Sequence, residues 1–267
     1  MKGLSIEDLP GELRERIVAR LRELEPDAIG VLASGSYARG RATTSSDLDL
    51  TVLLDGPARV PYRTWFEELA DGRLLHVSAN TGFTYEVWQS WSEEPQDWAF
   101  GFTVTLVHEW VWVTERAKEL LGETPILVSP AEASIEDMVE TATKVQRAHE
   151  IGDHDGIRFW ASELVRYASP NLVLLNPPVE VHDRREALSA LLAMSEAPAH
   201  WVEQVRICLG LDPAPVQAVF EAASQLAIDV LDYVKEHRPN VDAQPWVERY
   251  LRDGTFQRYL SGRPEPH

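Results

Sequence analysis

The sequence predicts an α+β protein: an N-terminal domain in which strand and helix signals mix, followed by a C-terminal α-helical bundle. Two observations carry this reading. Apolar runs of strand length alternate with amphipathic stretches as far as Leu121, and from Ser134 onward helical periodicity dominates. Between these regions Gly122 to Pro130, with a glycine and two prolines, reads as a linker, which sets the expected domains at 1–125 and 131–267.

Leu9, Leu13, Ile17, Leu21 and Leu24 recur at helical spacing, with Asp8 and Pro10 near the start as cap and first-turn residue. Ala28 to Ala33 is an apolar run of strand length, and Leu48 to Leu54 is the next. A short helix is expected from Tyr37 to Arg41, a connector at Pro57 to Pro61, and a helix at Thr64 to Ala70. Strands are expected at Arg73 to Ala79 and His108 to Val113, then a helix at Glu115 to Leu121. Beyond the linker the helical stretches are Ser134 to Glu150, Gly156 to Ala168, Asp183 to Ser195, Val216 to Glu236 and Pro245 to Leu260. Turn-forming clusters at Asn176-Pro177-Pro178, Leu211-Asp212-Pro213 and Arg238-Pro239-Asn240 separate them, as expected of a bundle with short connections.

Composition narrows the choice of partner. The formal charge is −18, divided evenly at −9 on either side of Pro125, so neither half is a basic lobe. Proteins that grip a long polynucleotide offset its phosphates with a basic stripe, so such a partner is not expected. A cationic small molecule suits an acidic chain better, although an acidic surface also serves solubility alone. The single cysteine, Cys208, lies in an apolar stretch and cannot form an intrachain disulfide. The N-terminus has neither the basic start nor the long apolar stretch of a signal peptide, and no run reaches the length of a membrane span. The expectation is a soluble cytoplasmic protein without a membrane partner.

The chemistry concentrates around two short motifs. Gly35-Ser36 ends the first strand with small residues whose backbone N–H groups can approach phosphate oxygens. Asp47-Leu48-Asp49 opens the next strand, and alternation along a strand points both carboxylates to one side, roughly 6 to 7 Å apart at their Cα atoms. Magnesium takes carboxylate and phosphate oxygens together, so a carboxylate pair facing a phosphate turn suits metal-assisted phosphoryl or nucleotidyl transfer. Arg39 and Arg41 follow the turn and could neutralise phosphate charge.

Ala28-Ile29-Gly30-Val31-Leu32-Ala33-Ser34-Gly35-Ser36, then Ala38-Arg39-Gly40, then Ser46-Asp47-Leu48-Asp49 resembles the DNA polymerase β-like nucleotidyltransferase superfamily. Within it the sequence is most similar to the aminoglycoside nucleotidyltransferases. A weaker similarity continues through Trp112-Val113-Thr114 and Lys118-Glu119-Leu120-Leu121 to Glu163-Leu164-Val165-Arg166-Tyr167. The resemblance implies a five-stranded mixed β-sheet flanked by helices, ATP as nucleotide donor, and Mg²⁺. It also implies that Gly35 and Ser36 cradle the terminal phosphates, and that Asp47 and Asp49 are the metal ligands.

Two positions depart from the family pattern. The neighbouring strand should carry a third carboxylate, and the matching position holds His76. Imidazole accepts a proton near neutral pH but is a poor ligand for a hard metal, so His76 is a candidate general base or a packing histidine. In the helical domain, kanamycin-type enzymes place a catalytic Glu just before the tyrosine of a Glu-Leu-x-x-Tyr stretch, where this chain has Arg166. Glu163, one turn earlier, is the alternative base.

Five of the nine tryptophans fall between residues 85 and 112, interleaved with acidic residues. Aromatic faces beside carboxylates can hold a polycationic aminosugar, which makes Trp88, Trp91, Glu93, Glu94 and Asp97 candidate acceptor contacts and leaves Trp110 and Trp112 to packing. The expected activity is Mg²⁺-dependent transfer of AMP from ATP to a hydroxyl of a small cationic acceptor such as an aminoglycoside. A catalytically silent nucleotide-binding regulator and an antitoxin-like enzyme that adenylylates a protein are the alternatives.

Overall fold

The computed structural model describes residues 3–57, 62–93, 96–129 and 133–238, with the side chains of residues 82, 91–93 and 97 outside the description. The chain divides into two compact units: Met1–Glu94 with Val104–Ser129, and Pro95–Thr103 with Pro130–His267.

In the first unit, helix α1 (Gly11–Leu24) leads into strand β1 (Ala28–Ala33), the one-turn helix α2 (Gly35–Ala38) and strand β2 (Leu48–Leu54). Strands β3 (Tyr62–Glu68) and β4 (Leu74–Thr84) follow, then helix α3 (Tyr85–Glu93), strands β5 (Thr103–Val107) and β6 (Glu109–Val113), helix α4 (Glu115–Leu121) and strand β7 (Ile126–Ser129). Among the described residues, five strands form one mixed sheet in the order β3-β4-β2-β1-β6. β2 and β4 run parallel, and the other pairs are antiparallel.

Alternation along the strands sorts their side chains into two layers. Val31 and Ala33 of β1, Leu48, Leu50, Val52 and Leu54 of β2, and Leu75, Val77 and Ala79 of β4 pack in one core with Leu13, Ile17 and Leu21 of α1. Leu32 points the other way, into a smaller cluster with Phe83, Trp88 and Leu127. Asp47, Asp49, His76 and Ser78 belong by alternation to this second face.

The helix expected at Thr64 to Ala70 is instead β3. Its burial alternates, with Trp65 and Glu67 inside and Tyr62, Thr64, Phe66 and Glu68 exposed. The buried Glu67 carboxylate is satisfied from two sides: Trp65 Nε1 donates to Oε1 at 2.8 Å, and Arg16 Nε to Oε2 at 2.9 Å. Arg20 adds charge at 3.9 Å and lies over the Trp65 ring. Partners on α1 therefore favour strand geometry here, because a buried carboxylate without them would be costly. The expected linker likewise contains β7, which pairs antiparallel with β5.

His108 lies 2% exposed between β5 and β6, its ring 4.6 Å from that of Trp88. Burial pulls its pKa down to about 4, against a weaker opposing effect of a hydrogen bond with the Leu106 backbone. The unfolded imidazole titrates near 6.5, so the unfolded chain binds the extra proton as pH falls below that value, and stability is lost progressively down to about pH 4. Between pH 7 and 4.5, wild type should lose about 2 to 3 kcal/mol more than His108→Gln in urea unfolding. Parallel losses in both proteins would assign the acid sensitivity to other groups.

The second unit is helical. Helices α5 (Ile135–Glu150), α6 (His154–Val173) and α9 (Val216–His237) pack together, with α8 (Trp201–Cys208) against α9 and α7 (Arg184–Leu192) beside the turn at Asp97–Ala99. Asp153, Ser134 and Asp183 cap α6, α5 and α7 through side-chain oxygens. Gly101 ties the 95–103 segment to this unit. Its φ is +85°, and a Cβ there would lie 2.5 Å from Pro170, so only glycine permits the close approach. Among the described residues no helix is long and apolar enough to cross a membrane. The helix expected at Pro245 to Leu260 lies outside the described residues.

Candidate active site

The end of β1 and the start of β2 are locked by one residue. Ser34 donates its backbone N–H to the Asp49 carbonyl at 2.9 Å. Gly35 then turns the chain at φ +63°, and α2 begins at once, two residues before the expected helix start at Tyr37. A Cβ on Gly35 would sit 3.0 Å from Asp49 Oδ2. The turn and the carboxylate are therefore neighbours; the positive φ favours glycine, and a Cβ there would crowd the Asp49 carboxylate. Beneath the turn the Tyr37 phenol is buried, which raises its pKa, with the Arg73 charge opposing.

The parallel register of β2 and β4 sets Asp49 opposite Ser78. The Ser78 hydroxyl donates to Asp49 Oδ1 at 2.6 Å, which fixes that oxygen and leaves Oδ2 toward the Gly35 turn. His76, two residues earlier on the same face, places Nδ1 4.0 Å from Asp47 Oδ2. Both side chains reach solvent, at 39% and 57% exposure. Ser36 is half-buried beside the turn; Arg39 is half-buried and Arg41 exposed after it.

Sequence reasoning missed Ser78, although it shares the two-residue period of His76 on β4. It also missed the shelf beside them. In the β3–β4 register Phe66 faces His76 and Thr64 faces Ser78, and the Phe66 ring lies 5.1 Å from the imidazole. Phe66, Tyr62 and Leu74 are 62%, 58% and 63% exposed, an apolar border to a polar site.

The acidic aromatic stretch is divided between the two units. Residues 85–93 form α3 in the first unit, and residues 95–103 belong to the second. Trp88 is 5% exposed within the Leu32, Phe83 and Leu127 cluster, so the expectation that its ring faces an acceptor is corrected: it is a packing ring. Glu94 and the side chains of Trp91, Glu93 and Asp97 lie outside the described residues. Trp110 covers Gly30 and donates Nε1–H to the Gly122 carbonyl, and Arg22 lies over Trp112. Glu163, on α6 in the second unit, is paired with Arg166 at 3.3 Å, and Arg166 also donates to the Tyr167 hydroxyl.

Among the described residues no three histidine, cysteine or acidic side chains gather as a metal cage. Asp47 and Asp49 offer hard oxygens on one face, one of them already oriented by Ser78. That donor set fits an ion that takes one or two carboxylates and fills its remaining positions with water and substrate phosphate.

Residues 14–98 match the family model described as "Nucleotidyltransferase domain", and residues 134–236 match the one described as "Nucleotidyltransferase, substrate binding domain". The chain carries a nucleotidyltransferase domain. That match spans the Gly35 turn, both aspartates and His76. No curated protein matches the chain. Among solved structures, a nucleotidyltransferase-like protein from Exiguobacterium sibiricum 255-15 is 11% identical, over 92% of this chain and 89% of that one, with a TM-score of 0.30, too low to carry information about the site.

Proposed function

We propose that this nucleotidyltransferase moves AMP from ATP onto a hydroxyl of a small cationic acceptor, an aminoglycoside, and releases pyrophosphate. The observation that carries the reading is the seat of Asp49, held by Ser78 on one side and against the Gly35 turn on the other. It sets the Gly35 turn beside one carboxylate of the Asp47 and Asp49 pair, which supports reading the two motifs as one site.

Gly35 and Ser36 would receive the β and γ phosphates through backbone N–H groups, with Arg39 and Arg41 adding positive charge. Asp47 and Asp49 would hold Mg²⁺, which when bound supplies charge neutralisation on the triphosphate. His76, beside Asp47 and open to solvent, would take the acceptor hydroxyl's proton as the oxygen attacks the α-phosphorus and pyrophosphate leaves. Glu163 is the alternative base, but its carboxylate is engaged by Arg166.

Three features support a small cationic acceptor: the charge of −18, the substrate-binding-domain match over 134–236, and the exposed Phe66 ring next to His76. The deciding experiment incubates the protein with α-labelled ATP, Mg²⁺ and an aminoglycoside panel. Label on a drug with pyrophosphate release supports the reading. Label on protein favours the antitoxin-like alternative, and no transfer with ATP still bound favours the regulatory one.

The acceptor edge can be tested separately. Phe66→Leu keeps an apolar contact with His76 but removes the π face, so the KM for the acceptor should rise about 2- to 30-fold while the KM for ATP stays unchanged. Because Phe66 is largely exposed, the melting temperature should not move. Acceptor affinity should also weaken with added salt, since exposed ion pairs are screened over about 8 to 10 Å. An unchanged acceptor KM would remove Phe66 from the acceptor site.

A further inference from the structure

The opposite face of the first unit holds a cavity of about 340 Å³ between α1 and β6, the edge strand of the sheet. Arg14 and Arg22 line it together with Glu15, Val18, Val111 and Trp112. The catalytic aspartates project from the other side of the sheet, so this cavity is separate from the site above.

Its arginines differ from their neighbours on the same helix. Arg16 and Arg20 turn toward β3 and share the Glu67 carboxylate. Among the described residues, Arg14 and Arg22 have no carboxylate within 4.0 Å, although the chain carries 43 acidic residues against 25 basic ones. Arg14 Nε is buried without an acceptor, a costly state for a charged donor unless a ligand supplies one. Arg22 is held with its guanidinium 4.6 Å above the Trp112 ring, which orients the planar fork in advance. The two arginines are eight residues apart, about 12 Å along the helix axis, and Val18 and Val111 lie in the wall of the same cavity.

We propose that this cavity is a second ligand site, which binds a linear organic dianion with one anionic group on Arg14, the other on Arg22, and an apolar body against Val18 and Val111. A fork that pairs with a carboxylate gains charge-assisted hydrogen bonds at each end, and the apolar wall rewards a methylene chain over a compact polar one. Glu15 in the lining, with Glu109 close enough to feel the Arg14 charge, selects against densely charged ligands such as a triphosphate.

The test is titration calorimetry of the full chain with succinate, suberate and sebacate, and with octanoate as the single-anion control. Suberate or sebacate should bind at least about tenfold more tightly than succinate or octanoate, because only they span both guanidinium groups. Arg22→Met, at an exposed position, and Arg14→Met should each weaken the long diacids at least about tenfold, with Asp47→Asn unchanged. If Arg14→Met does not fold, Arg22→Met with the length series decides alone. Equal binding across the series, no binding, or wild-type affinity in Arg22→Met would overturn the site, whatever the outcome of the transfer assay.

Discussion

Asp47→Asn and Asp49→Asn should each reduce nucleotidyl transfer by on the order of 10²- to 10³-fold or more, with the fold retained. Each replacement removes one negative charge from the oxygens that would hold the metal ion on the triphosphate, and changes almost no volume. The two variants test different parts of the arrangement. Asp47 is 57% exposed with His76 as its near neighbour, so its amide should leave stability within about 0.5 kcal/mol of wild type. Asp49 is locked by Ser78, but an asparagine can still accept that hydroxyl proton at Oδ1 and would turn its NH₂ toward Gly35. The expected result is an inactive, folded protein that has lost Mg²⁺-dependent tightening of ATP binding. The readouts are label transfer and ATP-analogue titration with and without Mg²⁺. Wild-type turnover in either variant at saturating Mg²⁺ would show that the two aspartates are not the metal site.

Local patterns placed the motif, and non-local packing decided what surrounds it. Gly35-Ser36 and Asp47-Leu48-Asp49 were legible because a strand end, a turn and a two-residue period are properties of contiguous residues. The bundle helices were legible for a similar reason, since their apolar faces repeat over several turns. Ser78 was not, because its role comes from a parallel register joining residues 29 positions apart. The helix expectation over β3 differs from the strand observed because Trp65, Phe66 and Leu69 recur at the three- and four-residue spacing of a helix face, while the strand buries Trp65 and exposes Phe66. Strand geometry follows from Arg16 and Arg20, far upstream, meeting Glu67. Trp88 looked like a binding residue in an acidic stretch, yet Leu32 and Leu127 bury it from distant parts of the chain.

His76→Ala should lower kcat by about 10²- to 10⁴-fold with little change in ATP affinity. The strand pairing that sets Asp49 against Ser78 puts His76 one strand over from Asp47, on the same face and 4.0 Å from its carboxylate. A base there stands beside the charges that would hold the nucleotide, on the side where Phe66 extends the surface for an acceptor. The alternative is a packing histidine whose main contact is the Phe66 ring. The two are separable because His76 is 39% exposed: a packing role predicts wild-type kcat and at most a small drop in melting temperature, whereas a base predicts an intact protein that turns over slowly. His76→Gln sharpens the comparison, since it can donate and accept hydrogen bonds but cannot take a proton at neutral pH, and it should be as slow as the alanine variant. Full activity in both would transfer the role to Glu163, and Glu163→Gln should then be the inactive protein, with Arg166 released from its ion pair.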